Sequence, residues 1–301
     1  MKLLLPMLAA GLLCGGCYVG KPVEVDPEAL KWDEILTVTD VIERYNENTG
    51  ALPSLWSRGL MDATLRETLE GDTTTIASAD VFIQHLKPSS VRLKVKKVGL
   101  PGDLLDLGTN GIDLWLLDGY NDTLFIGKDD FLDPDKLEGL PIRPDLILQV
   151  LGVNNLSRDL LADPMPTLRF NPDSGGWYVL EFHEPARRGE SRLITAKEVW
   201  LDSKELLPRK VVLFDEAGRP VLRANLTAFA EVGGEADAPP AKVATRYNLL
   251  FPETQSKMDI ALEAPRLKYR GIPTERTFDP DFGRLNLQQI VNLNDVAADP
   301  R

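Results

Sequence analysis

Cysteine and histidine are nearly missing from this chain. Of its 301 residues two are cysteine, both within the first seventeen positions, and two are histidine. A body stapled by disulfides is therefore excluded, and stability has to come from an apolar core. His85 and His183 stand alone, with no acidic or cysteine neighbour at ligand spacing, so neither a metal site nor a histidine-activated nucleophile is supported. A basic excess is missing too: 46 acidic residues face 34 basic ones, a net charge of -12. That balance argues against nucleic acid, whose phosphates call for a basic stripe, and against electrostatic docking on anionic lipid. No Gly-x-Ser-x-Gly elbow, dinucleotide-binding glycine pattern or P-loop occurs, so no cofactor is expected and an enzyme is not indicated. Asp281-Phe282-Gly283 spells the kinase metal triplet, but without the glycine-rich and catalytic loops it is a chance match. No repeat of 20–50 residues is evident.

What is present starts at the amino terminus. Lys2 precedes an apolar stretch from Leu3 to Leu13, too short for the about 20 residues of a membrane-spanning helix, and Gly15-Gly16 supply small residues before Cys17. A basic start, a short apolar core and small residues at the cut are the parts of a secretory leader. The run Leu13-Cys14-Gly15-Gly16-Cys17 resembles the lipobox of bacterial lipoproteins, with Cys14 where a leucine is usual. The resemblance implies removal of residues 1–16 and lipidation of Cys17. Cys14 and Cys17 also spell C-x-x-C, yet no second pair or nearby histidine completes a metal site. Tyr18 follows Cys17, where lipoproteins kept in an inner membrane resemble one another in carrying aspartate. The expectation is a protein held by lipid at the outer membrane and facing the periplasm.

Residues 17–34 are polar, with Pro22 and Pro27, and read as a tether. The domain then runs over 35–301. Thr37 or Thr39 is placed to cap a helix through Asn48, with Val41, Ile42 and Tyr45 on one face and Gly50 as its stop. Beyond Leu55 the period changes to two. Val91, Leu93 and Val95 alternate with Arg92, Lys94 and Lys96, and Ile112, Leu114 and Leu116 form a second apolar face. Thr109-Asn110-Gly111 joins the latter to a partner at 104–108 as a hairpin. Further strands are expected at 55–66, 76–86, 122–127, 166–170, 176–184, 192–202, 209–215, 220–230, 241–251 and 257–263. One helix interrupts them. Pro144 suits a helix start and Asp145 its positive end, with Leu146, Ile147, Val150 and Leu151 on one face; a further turn or two is expected at 156–161. Leu285, Leu287, Ile290, Val291 and Leu293 predict a short amphipathic helix at the carboxyl end. The fold class is mainly β (α+β): an antiparallel meander of ten to twelve strands.

Four stretches carry a family resemblance. Leu55-Trp56-Ser57-Arg58-Gly59 after the first helix, and Leu86-Lys87-Pro88-Ser89-Ser90-Val91-Arg92-Leu93, are the first two. Asn110-Gly111-Ile112-Asp113-Leu114-Trp115-Leu116-Leu117-Asp118 is the third, with Asn110 for aspartate and Leu117 for tyrosine. Val199-Trp200-Leu201-Asp202, then Leu207-Pro208-Arg209 and Asp215-Glu216-Ala217-Gly218, is the fourth. In this order they resemble the LolA/LolB-like superfamily of lipoprotein carriers and lipid-binding proteins, over residues 35–270. The resemblance implies an incomplete β-barrel, a curved sheet lidded by helices on its concave side, with an apolar cavity for acyl chains. The implied partners are lipid or an acylated protein, with the membrane reached through the anchor. Trp56 and Trp115 are candidates to line such a cavity, and Leu146, Ile147, Val150 and Leu151 to cover it. The alternative is an envelope scaffold or sensor whose filled barrel recognises a protein partner.

Overall fold

Thr37 starts the first element by a reciprocal cap. Its hydroxyl accepts from the Asp40 amide at 3.2 Å, and its own amide donates to the Asp40 carboxylate at 3.0 Å, which satisfies donors that a helix start leaves without partners. The helix that follows, α1, covers Val38–Gly50 and buries Val41, Ile42, Tyr45, Asn46 and Thr49. In this computed structural model the described residues are 35–66, 71–97, 99, 102–128, 144–172, 176–186, 192–233, 239–267, 275–285 and 287–294. The leader, Cys17 and the tether lie outside them.

Fourteen strands form one curved, unclosed sheet among the described residues. The first run is β1 (Ser54–Arg66), β2 (Thr73–Leu86), β3 (Ser90–Lys96), β4 (Leu105–Thr109), β5 (Asp113–Asp118) and β6 (Thr123–Lys128). Helix α2 (Pro144–Val150) follows. The second run is β7 (Met165–Asn171), β8 (Trp177–Pro185), β9 (Leu193–Asp202), β10 (Pro208–Phe214), β11 (Pro220–Val232), β12 (Ala241–Phe251) and β13 (Ser256–Arg266). Each run is an antiparallel meander, and the two join where β1 pairs with β13. Two 3₁₀ turns, Glu275–Phe278 and Phe282–Arg284, lead to β14 (Gln289–Asn292), which pairs in parallel with β6 at the edge.

Three expectations need correction. Residues 156–161 form bends and a turn instead of helix, because the Leu156 amide and carbonyl are both engaged by the Asn46 side chain, at 2.8 and 2.9 Å. In place of the predicted carboxyl-terminal helix, the described residues from Leu285 to Leu293 hold bends and the strand β14. Long-range pairing of Ile290 and Val291 with Leu124 and Phe125 overrides the local periodicity. Ile112 is 67% exposed. It belongs to the turn, where the Asn110 side chain accepts from its amide at 2.9 Å, and only Leu114 and Leu116 of that expected face are buried.

The pairing register sorts the sheet into two faces. One carries Met61, Val81, Val95, Leu105 and Leu116 in the first run, and Ile260, Tyr247, Leu226, Val211, Val199 and Leu180 in the second. This face is the concave one, and α2 proves it. Helix α2 lies against β4 and β5, while the carbonyl of its Gln149 accepts from Lys197 Nζ of β9 at 3.2 Å. Nine strand steps separate β5 from β9 in the sheet, about 43 Å if the sheet were flat. A seven-residue helix is about 10 Å long. The sheet must curl around it for both contacts to exist.

The seam between the meanders depends on Gly59. A Cβ there would stand 1.9 Å from the Ala261 carbonyl oxygen and 2.7 Å from the Leu262 Cα, both backbone atoms of β13. Gly59→Ala is expected to push β1 off β13 and destabilise the fold by about 1–3 kcal/mol, the usual cost of forced overpacking. Urea unfolding would show it as a lowered midpoint; an unchanged midpoint would mean that the seam can shift freely.

Candidate functional site

The concave face and its contents make the candidate site. Leu146, Ile147, Leu148 and Val150 of α2, and Leu151 after it, are buried, so the helix is apolar nearly all round, as a helix enclosed by protein must be. Of its central residues Gln149 alone is exposed. The helix stops at Gly152, whose φ of +69° favours glycine. A Cβ there would meet Pro208 Cγ at 3.2 Å, so the chain needs this glycine both to turn and to pass β10. Polar groups fix the turn after α2. Tyr247 donates its hydroxyl to the Leu151 carbonyl at 3.3 Å, and the Asn155 side chain accepts from Thr49 at 2.8 Å and Lys87 at 3.0 Å. Burial pushes the Tyr45 and Tyr247 phenols up, so both stay neutral.

Four of the six predicted cavity residues therefore meet in one place: Leu146, Ile147, Val150 and Leu151 pack into the concavity. Trp56 and Trp115 do not join them. Register lines Trp56 up with Gln84, Arg92, Gly108 and Trp115, on the face opposite Leu114 and Leu116. Both tryptophans are buried there for other reasons. Trp115 packs with Leu117, Leu124 and Phe278 under the 3₁₀ turns, and its ring Nε1 donates to Asp106 at 3.3 Å. Asp106 also takes a two-pronged bond from Arg92, whose third nitrogen donates to the Thr277 carbonyl at 2.6 Å. Trp56 sits beside Phe82 at 6.5 Å, with the Arg266 guanidinium 5.5 Å from its ring. The carboxyl-terminal segment is what covers the Trp115 face, and Asp281 in it caps a 3₁₀ turn through the Gly283 amide.

Open volume remains at the rim of the concave face. A cavity of about 90 Å³ is lined by Leu65, Ile76, Leu105, Leu116 and Phe125, with Asp118 at its polar side. It is small beside the about 300–1,000 Å³ of pockets that enclose drug-sized ligands. On the convex face a groove of about 480 Å³ runs along Trp177, Trp200, Arg209, Lys210 and Asn225. Among the described residues no group of three or more His, Cys, Asp or Glu side chains could hold a metal ion, and no helix is long and apolar enough to cross a membrane.

Two solved structures show the same architecture at low identity. A LolA superfamily protein, NE2245 from Nitrosomonas europaea, matches over 82% of this chain and 100% of its own, with 13% identity and a TM-score of 0.50. A DUF1329 family protein from Desulfovibrio piger matches over 82% and 97%, with 14% identity and a TM-score of 0.53. The fold is LolA-like. No family model matches the sequence, and neither does any curated protein.

On the concave face of this LolA-like sheet stand Lys197, which sequence reasoning left unassigned, and His85, to which it gave a structural or surface role. Lys197 shares a period of two with Val199 and Leu201, a signal that could have placed it inward. Burial pushes its ammonium down to about 8, which leaves it mainly charged at pH 7. His85 is fully buried. Its Nδ1 lies 3.0 Å from the Ser90 carbonyl, so that nitrogen carries the hydrogen, while Nε2 has no partner among the described residues. Burial first, then the Lys87 charge, hold this imidazole down at about 4, against the opposing pull of the Ser90 bond. His183, by contrast, faces outward between the Thr167 and Thr195 hydroxyls, at 2.8 and 3.3 Å.

His85 gives a pH prediction whose sign is fixed. The unfolded chain takes up a proton at about 6.5, whereas the folded one resists until about 4. Stability therefore falls as pH drops from about 6.5 to about 4 and levels off below, a loss of about 3 kcal/mol. Urea midpoints at pH 7, 6 and 5 are expected to decline in the native chain and to stay flatter in His85→Gln. Parallel declines would show that His85 is not the group responsible.

Proposed function

We propose that this is a lipid-anchored envelope protein whose concave face binds a lipid or acyl chain, in the handling of lipids or lipoproteins. In this reading residues 1–16 are a leader, Cys17 carries the anchor, 17–34 form a tether and 35–301 form the binding domain at the outer membrane, facing the periplasm. Binding is the whole of the proposed activity, with no catalytic step. One observation carries it: the concave face is apolar from β5 to β8 but for His85 and Lys197, and what fills it is two helices, α1 against β7 and β12 and the seven-residue α2 against β4 and β5, instead of a second layer of sheet. Isolated helices that short do not hold together in water, so α2 depends on the sheet for its structure. Acyl methylenes can replace its side chains like for like, at about 0.8 kcal/mol each.

A second reading has its own support. The rim cavity is small, and the convex groove at Trp177 and Trp200 is larger and open. A filled scaffold that recognises a protein partner would look the same.

Native mass spectrometry of the protein purified from its own membranes separates the two. Co-purified lipid of several hundred daltons is expected, and it should be lost when Val211→Lys places a charge on the concave face of the sheet itself. A bare protein mass at every preparation would favour the scaffold. For the anchor, cells labelled with palmitate should mark the native chain and leave Cys17→Ala unmarked; an unmarked native chain would remove the anchor from the proposal.

A further inference from the structure

Pairing register assigns the lysines and arginines of the strands to a face. Arg92, Lys94, Arg169, Lys210 and Arg223 point to the convex side. Among the register-assigned basic residues of the described strands, Lys197 is the one on the concave side. It stands level with Leu213 of β10 and Phe182 of β8, with its Nζ 5.8 Å from the Phe182 ring centroid. A cation on an apolar surface is costly unless something compensates it. What compensates Lys197 among the described residues is a neutral group, the Gln149 carbonyl at the end of α2.

Position adds to this. Lys197 as a residue is half-buried and its partner Gln149 is exposed, while the ammonium itself is buried enough to be pushed down, so it stands just inside the edge of the hollow. Glu184 is the next inward position of β8. Its burial, with Asp163 and Glu216 nearby, raises its carboxyl, and no ion pair joins it to Lys197 among the described residues. A lysine at the last carbonyls of a helix is a familiar stabilising cap. Charge-assisted bonds to an anionic oxygen are roughly twice as strong as bonds to a neutral carbonyl, so an anion arriving at the mouth would displace Gln149 as the partner.

We propose that Lys197 receives the anionic headgroup, a carboxylate or a phosphate, of an acyl ligand whose chain lies along Phe182, Leu213 and the rest of the concave face. The inference rests on the acyl-binding reading above and adds to it the charge of the ligand. An apolar hollow by itself selects for chain length only. A cation at its mouth selects against neutral glycerides and alcohols of the same chain.

The test measures displacement of a fluorescent fatty acid from the purified full-length chain by palmitate, palmitoyl lysophosphatidate and monopalmitoylglycerol. The native chain is expected to bind one or both anionic lipids about tenfold or more tightly than the neutral one, as a charge-assisted bond allows. Preference for one anion names carboxylate or phosphate as the source. Lys197→Met should bring the anionic lipids to the level of the neutral lipid, whose affinity stays the same, and Lys197→Arg should keep the preference. Equal binding of all three by the native chain would overturn the inference while leaving acyl binding intact. A preference that persists in Lys197→Met would do the same, and a lowered melting temperature in that variant would then assign Lys197 to helix capping. Binding of none of the three would overturn the acyl-binding reading itself.

Discussion

A sheet curled this tightly has to be given something apolar to curl around, and most of the molecule follows from that constraint. The concave positions of twelve strands, β1–β5 and β7–β13, bring Val, Leu, Ile and Met side chains toward one hollow. A second sheet would need about 10 Å of clearance along the whole face, which a narrow hollow does not offer. A helix, about 10–12 Å across with its side chains, fits. The Leu146–Leu151 stretch supplies one that is apolar nearly all round, and the glycine after it turns the chain back past β10. From the same constraint comes the juxtaposition of β5 with β9 across the hollow, and with it the meeting of Lys197 and Gln149.

The convex face obeys a different rule over the first run of strands. There Arg92, Lys94 and Asp106 stand on a surface that an exposed sheet would leave to water, but the carboxyl-terminal segment lies over it. Asp106 has 2% of its side chain exposed and Arg92 12%. Buried ion pairs of this kind seldom add net stability, because desolvation offsets their attraction. Their effect here is positional: Arg92 ties Asp106 to the Thr277 carbonyl and so locates the turn that sets Phe278 on Trp115. Gly108 makes room for this arrangement, since a Cβ there would stand 2.4 Å from the Trp115 ring. The two tryptophans that attract notice in the sequence thus serve the outer layer and take no part in the hollow.

How much could be read beforehand follows from which contacts are local. Helix α1, its cap as one of two threonines, and the strands from β1 to β13 were legible, because half-buried strands alternate and turns carry their own chemistry. The helix at Pro144 was legible from its start signal and apolar face. Strand β5 misled, since cover on both sides buries Leu114 to Leu117 in a row and removes the alternation that marks a face. Strand β14 was invisible: four residues, mostly exposed, pair in parallel with an edge more than 150 positions earlier, and nothing local reports that. The bends at 156–161 depend on Asn46, more than a hundred residues away. In the site, the α2 residues could be placed but the side of Trp115 could not, because the sequence gives two faces without saying which one curls inward. Lys197 was in the pattern and passed over, as a lysine among alternating residues usually faces water.

Magnitudes explain why a filled hollow is compatible with the proposed binding role. The five apolar side chains of Leu146 to Leu151 contribute about 8–15 kcal/mol of burial at about 1.5–3 kcal/mol each. A sixteen-carbon chain laid in their place contributes about 12 kcal/mol at about 0.8 kcal/mol per methylene. Exchange of one for the other is close to balanced, so neither the closed form nor the loaded form is fixed by apolar burial alone. The helix cannot survive as a helix once expelled, which favours the closed form by the backbone bonds it would lose. Against that stands the charge: an anionic oxygen meeting Lys197 gains a bond that a carbonyl cannot match. In such a balance a single cation decides which chains enter, and its placement at the mouth, beside the end of the helix that must yield, lets the headgroup act on the filler directly.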